Sequence, residues 1–325
     1  MYHVCSYARK ASKPRSTIMS IKSCVICSRP AVVGKTQVLN SLGRSRVFCH
    51  CPNCEHWWLE PMPDSDELKS YYQSRTGMVT TGYVQQYPRK KLKHFCRILK
   101  KHGLLATSPV LEIGPGPVGI TPLLPSGVTY IAVEPGIAYS KSLKQSAEKK
   151  QLDFYGYDSI DMVPDDKRFN MLFTNAVFEH LIDPLDTFRL AVRHLNAGAA
   201  VVFGVPDRNV EILESAFIPS GLFKEIAYGE NHLHSFSESS VKIMFNQMGI
   251  DFIATDHMLA AGLVSAYKRL SKSLEYGVIN QRLTSARWAL NNLKALLQYR
   301  IANTLIDRRN PGDDRCEAIY IGVKR

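Results

Sequence analysis

Residues 109–119 read Pro-Val-Leu-Glu-Ile-Gly-Pro-Gly-Pro-Val-Gly, a strand that runs directly into a glycine-rich turn. Gly114 and Gly116 lack a Cβ, so the backbone can turn tightly there and approach a ligand closely. The next strand ends on Glu134, whose carboxylate is placed to accept hydrogen bonds from both hydroxyls of a ribose. The stretch therefore predicts a nucleoside-binding βαβ unit, although its glycine spacing alone would also suit a dinucleotide.

A second stretch, residues 169–184, distinguishes between a nucleoside-type cofactor and a dinucleotide. It reads Phe-Asn-Met-Leu-Phe-Thr-Asn-Ala-Val-Phe-Glu-His-Leu-Ile-Asp-Pro and closely resembles the fourth-strand motif of class I S-adenosylmethionine-dependent methyltransferases. The earlier Val-Leu-Glu-Ile-Gly-Pro-Gly resembles the first motif of the same family. Together they imply an α/β fold with a Rossmann-like seven-stranded sheet, and S-adenosylmethionine as the cofactor. A nicotinamide enzyme is the alternative, but no stretch resembles a hydride-acceptor site.

The resemblance implies a role for each matching residue. The glycine turn and the acidic residue before it would face the methionine end of the cofactor, and the carboxylate that ends the second strand would hold the ribose. The loop after the third strand would edge the adenine, and the residues past the fourth strand would flank the sulfonium. In that order, the implied cofactor-binding residues are Glu112, Gly114, Gly116, Glu134, Asp158, Ser159, Asn175 and Ala176. For Asp158 an ordinary turn residue is the alternative, because this loop varies within the family.

Two pairs of cysteines lie near the N-terminus. Cys24-x-x-Cys27 is followed by Cys51-Pro-Asn-Cys54, with 23 residues between the pairs. Each pair presents two thiolates from a tight turn, which suits tetrahedral zinc, so these four cysteines are the predicted metal ligands. Three neighbours are alternatives for one of the four ligands: Cys49, His50 and His56.

The residues from the second cysteine pair onward extend the resemblance. Cys-Pro-Asn-Cys-Glu-His-Trp-Trp-Leu-Glu-Pro-Met-Pro-Asp, followed by Tyr71-Tyr72, resembles the zinc-ribbon head of sugar C-methyltransferases and related bacterial glycan-associated methyltransferases. In those enzymes the head packs on the catalytic domain and helps to shape the acceptor cleft. Trp57 and Trp58 are interpreted as the hydrophobic core of the ribbon, with stacking on a base or a sugar ring as the alternative.

These motifs divide the chain into parts. Residues 1–20 are basic, rich in serine and free of acidic side chains, so we predict a disordered tail; a transit peptide or a true start at Met19 stays open. The other predicted parts are a zinc-ribbon head (21–60), connecting helices and a cofactor lid (61–108), and a methyltransferase domain (109–325) with a basic helical insertion (259–309) before its last strand.

Apolar runs and capping residues predict the elements of the methyltransferase domain. One helix begins after Asp183 with proline at its first position, and another begins after Ser237 and ends at Gly249. Residues 89–101 are predicted to form a preceding helix, whose lysines are interpreted as a solvated face, with a nucleic-acid-binding patch as the alternative. The predicted strands lie near 109–113, 128–134, 153–157, 169–174, 199–205, 251–257 and 317–323, the last of them antiparallel.

Charge and cysteine content limit the partners. The net charge of +12 favours an anionic partner such as nucleic acid, a nucleotide-activated sugar or a membrane surface. Segment 259–309 is basic and amphipathic, so it is either a packed lid or a peripheral membrane contact. No apolar run is long enough to span a bilayer. The eight cysteines, several of them predicted to bind metal, favour a reducing compartment, and we predict cytoplasmic localisation.

Histidines are the candidate bases, because proton removal from an acceptor favours a pKa near the working pH. Residues 230–237, Glu-Asn-His-Leu-His-Ser-Phe-Ser, resemble a motif of sugar C-methyltransferases in which a tyrosine and a histidine act as acid and base. His232 matches that histidine, whereas Gly229 replaces the tyrosine and Tyr228 lies one residue early. O-, N- and C-methylation therefore all stay open. The further candidate bases are His180 and His234.

The sequence thus predicts methyl transfer to a sugar or glycan-type acceptor, nucleotide- or lipid-linked. An RNA methyltransferase, in which the ribbon and the basic surface grip phosphates, is the first alternative. It is disfavoured because Asn-Ala-Val-Phe, and not an Asn-Pro-Pro-Tyr-type loop, follows the fourth strand. A scaffold that has lost catalysis is the second alternative, disfavoured by the intact glycines and Glu134.

Overall fold

The structure is a computed structural model. The residues that it describes are 22–39, 45–68, 89–207, 232–257 and 317–325. The predictions for residues 1–20, Tyr228 and the insertion 259–309 lie outside the described residues.

The described residues form β-strands and helices in the following order along the chain. The strands are β1 (Lys22–Ser23), β2 (Pro30–Leu39), β3 (Ser45–His50), β4 (Trp57–Glu60), β5 (Val110–Ile113), β6 (Thr129–Val133), β7 (Asp153–Tyr157), β8 (Phe169–Asn175), β9 (Leu195–Pro206), β10 (His234–Ser235), β11 (Ile250–His257) and β12 (Glu317–Lys324). The α-helices are α1 (Arg89–Lys101), α2 (Ile137–Lys149), α3 (Pro184–Arg193) and α4 (Glu238–Gln247).

The larger sheet has seven strands in the order β11-β12-β9-β8-β5-β6-β7. Strands β5 to β9 run parallel, and β12 is antiparallel to both of its neighbours. The predicted seven-stranded α/β fold with an antiparallel last strand is therefore confirmed. Strand β9 begins at Leu195, four residues before the predicted start at Ala199. Residues 196–198 are not buried, so the sequence there lacks the continuous apolar run from which the strand was predicted.

Both faces of the central strands of this sheet are buried, as a parallel sheet requires. Along β8, Met171 and Phe173 join Phe95 of α1 in one cluster, whereas Leu172 packs with Phe188 of α3 in the other. Alternate side chains of a strand point to opposite faces, which explains why a single strand supplies both clusters. The layering leaves the carboxyl ends of β5 to β9 gathered along one edge, where ligands bind in open α/β sheets.

The predicted helix starts are also present. Asp183 caps α3 by accepting a hydrogen bond from the Asp186 amide, with proline at the first helical position. Ser237 caps α4 through a capping box with Ser240. Gly249 follows α4 with φ of 66°, a conformation that favours glycine. None of the described helices has the length and apolar character that crossing a bilayer requires.

The smaller sheet links the N-terminal head to the methyltransferase domain. Its strands lie in the order β1-β2-β3-β4-β10, so a segment from after the fifth domain strand completes the sheet of the head. In the register of β4 and β10, His234 pairs with Trp58 and Ser235 with Trp57. The two parts of the chain therefore share a sheet.

Candidate active site and metal centre

The glycine turn after β5 has the geometry that the sequence predicts. Gly114 and Gly116 have φ of 66° and 60°, in the left-handed region that disfavours side chains. A Cβ on Gly114 would overlap the side chain of Val177, whereas no atom of the described residues lies within 4 Å of a Cβ placed on Gly116. Gly116 therefore borders open space, which a ligand can approach.

Glu134 lies at the end of β6 beside this turn. Its Oε2 accepts a hydrogen bond from the Gly116 amide and its Oε1 accepts one from the Gly136 amide, both at 2.9 Å. Burial raises the pKa of Glu134, and the two amide bonds act in the opposite direction. Each oxygen keeps a lone pair, so the carboxylate can still accept hydrogen bonds from two hydroxyls.

A cavity of about 490 Å³ lies between β6, β7 and α2. Apolar side chains such as Leu143 and Phe154 form part of its wall, and Glu134 and Asp158 supply carboxylates. Ser159, the next residue, precedes a short 3₁₀ turn. An apolar slot with two acceptors at its edge has the size and chemistry for an adenosine, so the residues present fit the implied cofactor.

Glu112, which the resemblance assigns to the methionine end of the cofactor, is buried under the glycine turn. It is 1% exposed, and its Oε2 accepts hydrogen bonds from the Ile120 amide at 3.0 Å and from the Tyr130 hydroxyl at 2.6 Å. Burial raises its pKa to about 7, against those two hydrogen bonds. A Cβ on Gly119 would lie 2.6 Å from the same oxygen. Glu112 therefore supports the turn from below, and it is not among the residues that line the cavity.

Asn175, which the resemblance assigns to the neighbourhood of the sulfonium, has its side chain hydrogen-bonded to β12. Its Nδ2 donates a hydrogen bond to Glu317 Oε1 at 3.2 Å, and the side chain is 4% exposed. Ala176, the next residue, has φ of 55°, and its amide donates to the Gly204 carbonyl. The chain thus leaves β8 through Ala176, a residue with a strained backbone at the carboxyl edge of the sheet. The side-chain amide of Asn175 is directed toward β12.

The prediction of a solvated lysine face on α1 is wrong for Lys91, whereas Lys93, Lys100 and Lys101 are exposed as predicted. Lys91 Nζ lies 2.5 Å from Glu317 Oε1, and both side chains are buried. Lys91 precedes Phe95 by four residues and Ile98 by seven, so helical periodicity places it on the apolar face. That spacing was the signal for a buried charge, and a buried lysine requires a paired carboxylate.

Two of the predicted bases meet just beyond β8. A 3₁₀ turn, Phe178–His180, brings His180 to the carboxyl edge, and its ring centroid lies 4.8 Å from that of His232. Glu179, 1% exposed, places Oε1 3.7 Å from His180 Nε2. One ligand atom from each of these three side chains lies within 4.8 Å of the others. We call Glu179, His180 and His232 the acceptor-side cluster.

The head holds His232 in this cluster. The Leu233 amide donates to the Glu179 carbonyl at 2.6 Å, and the Leu59 amide of β4 donates to the Leu233 carbonyl at 2.9 Å. Behind them, the Ser237 hydroxyl donates to the Cys54 carbonyl at 2.6 Å. The position of His232 therefore depends on hydrogen bonds to the turn that follows β8 and to the head.

His234 is buried and therefore not accessible to an acceptor. It is 1% exposed, and its Nδ1 lies 3.1 Å from His56 Nε2. Burial lowers the pKa of His234 to about 4, so the ring is neutral near neutral pH. His234 therefore packs between the head and the domain, and we leave it out of the proposed catalytic set.

The four predicted metal ligands converge. The sulfur atoms of Cys24, Cys27, Cys51 and Cys54 all lie within 4.8 Å of one another, with close pairs at 3.4 and 3.5 Å. None of these cysteines is in a disulfide. A hydrogen bond with the Cys54 thiol lowers the pKa of Cys24 to about 5. Four clustered thiols, buried or nearly so, fit the tetrahedral coordination of zinc.

The two cysteine turns have the same backbone geometry. Ser28 and Glu55, each directly after a pair, have φ of 58° and 57°. Their amides donate to the carbonyls of Cys24 and Cys51 at 2.9 and 2.8 Å. Repetition of one tight turn at both pairs explains how four thiols reach a common centre.

The alternative ligands do not belong to this cluster. Cys49 is buried apart from it, and burial raises its pKa to about 11. The His50 ring lies 4.7 Å from that of Trp57, and His56 contacts His234. Trp57 and Trp58 are 6% and 1% exposed, so they form the core of the head rather than a stacking surface.

A family model described as a methyltransferase domain matches residues 81–255. Among solved structures, the chain is similar to magnesium protoporphyrin IX methyltransferase of Synechocystis PCC 6803 with bound SAH, at 11% identity and a TM-score of 0.47, covering 80% of this chain and 97% of that one. It is also similar to a phosphoethanolamine N-methyltransferase of Haemonchus contortus, at 14% identity and a TM-score of 0.45, covering 71% and 53%. No match was found among curated proteins.

The family match covers more than half of the chain. It includes the glycine turn, the cavity and both segments of the acceptor-side cluster. The chain therefore belongs to the methyltransferase-domain family and is an S-adenosylmethionine-dependent methyltransferase.

Proposed function

We propose that this enzyme methylates a hydroxyl of a sugar or glycan-type acceptor, carried on a nucleotide or a lipid. The observation that carries the proposal is the pair His180 and His232 at the carboxyl edge, with ring centroids 4.8 Å apart. The similarity of the head and of residues 230–237 to sugar C-methyltransferases supports the acceptor class. The net charge of +12 suits a phosphate-bearing carrier.

The chain's own residues would hold the cofactor at the other end of the same edge. When bound, S-adenosylmethionine supplies an electrophilic methyl group on a sulfonium. Glu134 would accept hydrogen bonds from the ribose hydroxyls, and Gly116, which has no side chain, would permit close approach of the cofactor to the backbone. The cavity with Asp158 on its wall would take the adenine. Binding of this kind places the methyl donor, and much of the rate enhancement in such displacements comes from placement.

The acceptor-side cluster would activate the hydroxyl, so that it loses its proton in the reaction. Both histidines are partly exposed, whereas Glu179 behind them is buried. The backbone bond from Leu233 to Glu179 keeps the two histidine-bearing segments together. Activation of an acceptor by such groups typically contributes about 10²–10⁴-fold in rate. The cluster thus supports methylation of a hydroxyl, which requires removal of a proton, over a mechanism that depends only on placement of the acceptor.

Methyl-labelled S-adenosylmethionine, incubated with the enzyme and separate nucleotide-sugar, lipid-linked-sugar and RNA fractions, tests the proposal. Label in a sugar fraction, lost in His232→Ala and kept in His102→Ala, is the expected result. His102 is a suitable control because it pairs with Asp256 on another part of the domain. Label confined to RNA would contradict the sugar proposal and would indicate that the basic surface grips phosphates.

A further inference from the structure

The acceptor-side cluster contains the side chains of a metal site. We propose that Glu179, His180 and His232 bind a divalent transition-metal ion, separate from the four-cysteine centre. This inference rests on the proposed function, because it states how the same cluster would activate the acceptor. Their ligand atoms lie within 4.8 Å of one another.

The donor set is chemically specific. Two imidazoles and one carboxylate occur in catalytic zinc sites and in non-haem iron sites, where they leave coordination positions open. Imidazole donors favour zinc, cobalt or ferrous iron over magnesium and calcium, which prefer oxygen ligands. The four cysteines offer only sulfur, so the two sites differ in the optical signature of a bound metal.

The spacing leaves room for an ion. Metal–ligand bonds of about 2.0–2.2 Å place two ligand atoms roughly 3–4 Å apart. Glu179 Oε1 and His180 Nε2 lie 3.7 Å apart, within that range and too far apart for a direct hydrogen bond. The third ligand atom, from His232, lies within 4.8 Å of the other two.

Charge and burial favour the same conclusion. Glu179 is 1% exposed, and the attraction between a buried carboxylate and a divalent ion is screened less than it would be at the surface. Histidine binds metals through the neutral imidazole, so both rings would bind the ion in that form. Both histidines are partly exposed, so solvent reaches the cluster.

The location gives the ion a role. The cluster follows β8 directly, one turn beyond Ala176, at the edge where the parallel strands end. A metal there would coordinate neighbouring oxygens of a polyol and lower the pKa of the bound hydroxyl. The backbone bonds from Leu233 to Glu179 and from Leu59 to Leu233 hold the ligands before any ion arrives.

Cobalt titration of the full-length protein tests the proposal. The four-cysteine site is first left occupied by zinc, loosely held metal is removed by dialysis against a weak chelator, and Co²⁺ is then added. We expect one further cobalt per chain, with visible ligand-field bands and without sulfur-to-cobalt charge transfer. The double variant His180→Ala/His232→Ala should take up no such cobalt, whereas His102→Ala should bind it as wild type does.

Three results would overturn the inference. They are the absence of additional cobalt in the wild-type protein, equal uptake by the double variant, and a charge-transfer band that assigns the cobalt to cysteine sulfur. Calorimetry with S-adenosylhomocysteine checks that the double variant is folded; if it is not, His232→Gln replaces it in the titration.

Failure of this inference is distinguishable from failure of the proposed function. If wild type binds no additional cobalt but His232→Ala still loses methyl transfer, the metal proposal is wrong and the activation site stands. If His232→Ala transfers methyl to the sugar fraction at the wild-type rate, the proposed function itself is wrong.

Discussion

The two ends of the ligand-binding edge are built in different ways. On the cofactor side, the glycine turn, Glu134 and Asp158 follow successive strands within one continuous stretch, residues 110–158. On the acceptor side, His180 and His232 come from separate segments that the backbone hydrogen bond from Leu233 to Glu179 joins, and the pairing of β4 with β10 ties the second segment to the head. The cofactor side can therefore form from residues close together in the chain, whereas we expect the acceptor side to depend on the head.

The difference has an energetic consequence. Loss of a group on the cofactor side should weaken binding of S-adenosylhomocysteine, whereas loss of a group on the acceptor side should lower turnover and leave that binding intact. A variant that changes both quantities together would show that the two sides are not separable.

The largest expected effect is on the acceptor side. His232→Ala should lower turnover by about 10²–10⁴-fold, because the activating cluster loses a member. The affinity for S-adenosylhomocysteine should stay within about twofold, since His232 does not line the cavity. Rates with the labelled sugar fraction and calorimetry of the same preparation measure the two quantities; a parallel loss of affinity would break the comparison.

A second prediction concerns the glycine turn. Gly114→Ala should destabilise the protein by about 3–4 kcal/mol, because it adds a Cβ at positive φ that overlaps Val177. Gly116→Ala should cost only about 1–2 kcal/mol, since strain acts there without a clash. Urea unfolding measures both.

Adding Val177→Ala to Gly114→Ala removes the overlapping side chain. It should restore part of the lost stability, while the same change in the Gly116→Ala background should not. Equal costs for the two glycine variants would contradict the steric argument.

Glu112 gives the turn a pH dependence. Its folded pKa of about 7 lies above the ordinary value of 4.5, so the folded state binds the proton more tightly than the unfolded state. Its contribution to stability is therefore full below about pH 4.5 and is lost as the pH rises toward 7. Between about pH 5 and pH 8, the free energy of unfolding should fall by about 2–3 kcal/mol more in wild type than in Glu112→Gln.

Denaturant unfolding at the two pH values measures this difference. Glu148→Gln, at an exposed carboxylate of α2, is the matched control and should follow wild type. An identical pH slope in wild type and Glu112→Gln would show that the buried carboxyl does not titrate in this range.

The smallest predicted effect is at Glu134. Glu134→Gln should weaken S-adenosylhomocysteine binding by about 5–20-fold, corresponding to about 1–2 kcal/mol for loss of a charged acceptor to the ribose. Turnover at saturating cofactor should change little. Asp161→Asn removes an exposed carboxylate that does not line the cavity, and it should leave the affinity unchanged.

Local patterns in the sequence predict much of the fold. The seven strands of the larger sheet, the glycine turn and the convergence of four cysteines follow from apolar runs, positive-φ glycines and paired spacing. Each of these features is decided by residues close together in the chain. For the same reason the predicted caps at Asp183 and Ser237 are present.

Features that depend on distant residues were harder to predict. Strand β10 has only two residues, too short for any periodicity, and its pairing with β4 buries His234. Glu112 could have been placed, because it alternates with Leu111 and Ile113 and must point to the other face of the sheet. The partner that buries Lys91 is Glu317, more than two hundred residues later, and no local pattern connects them.

The most direct test of the division between the two sides is to disable the four-cysteine centre. Cys24→Ser/Cys54→Ser should release β4 and β10, so methyl transfer to the sugar fraction should fall at least as far as in His232→Ala. Calorimetry on the same preparation should still find near wild-type affinity for S-adenosylhomocysteine. Retained transfer, or cofactor affinity lost in proportion to transfer, would contradict an acceptor side held in place by the head.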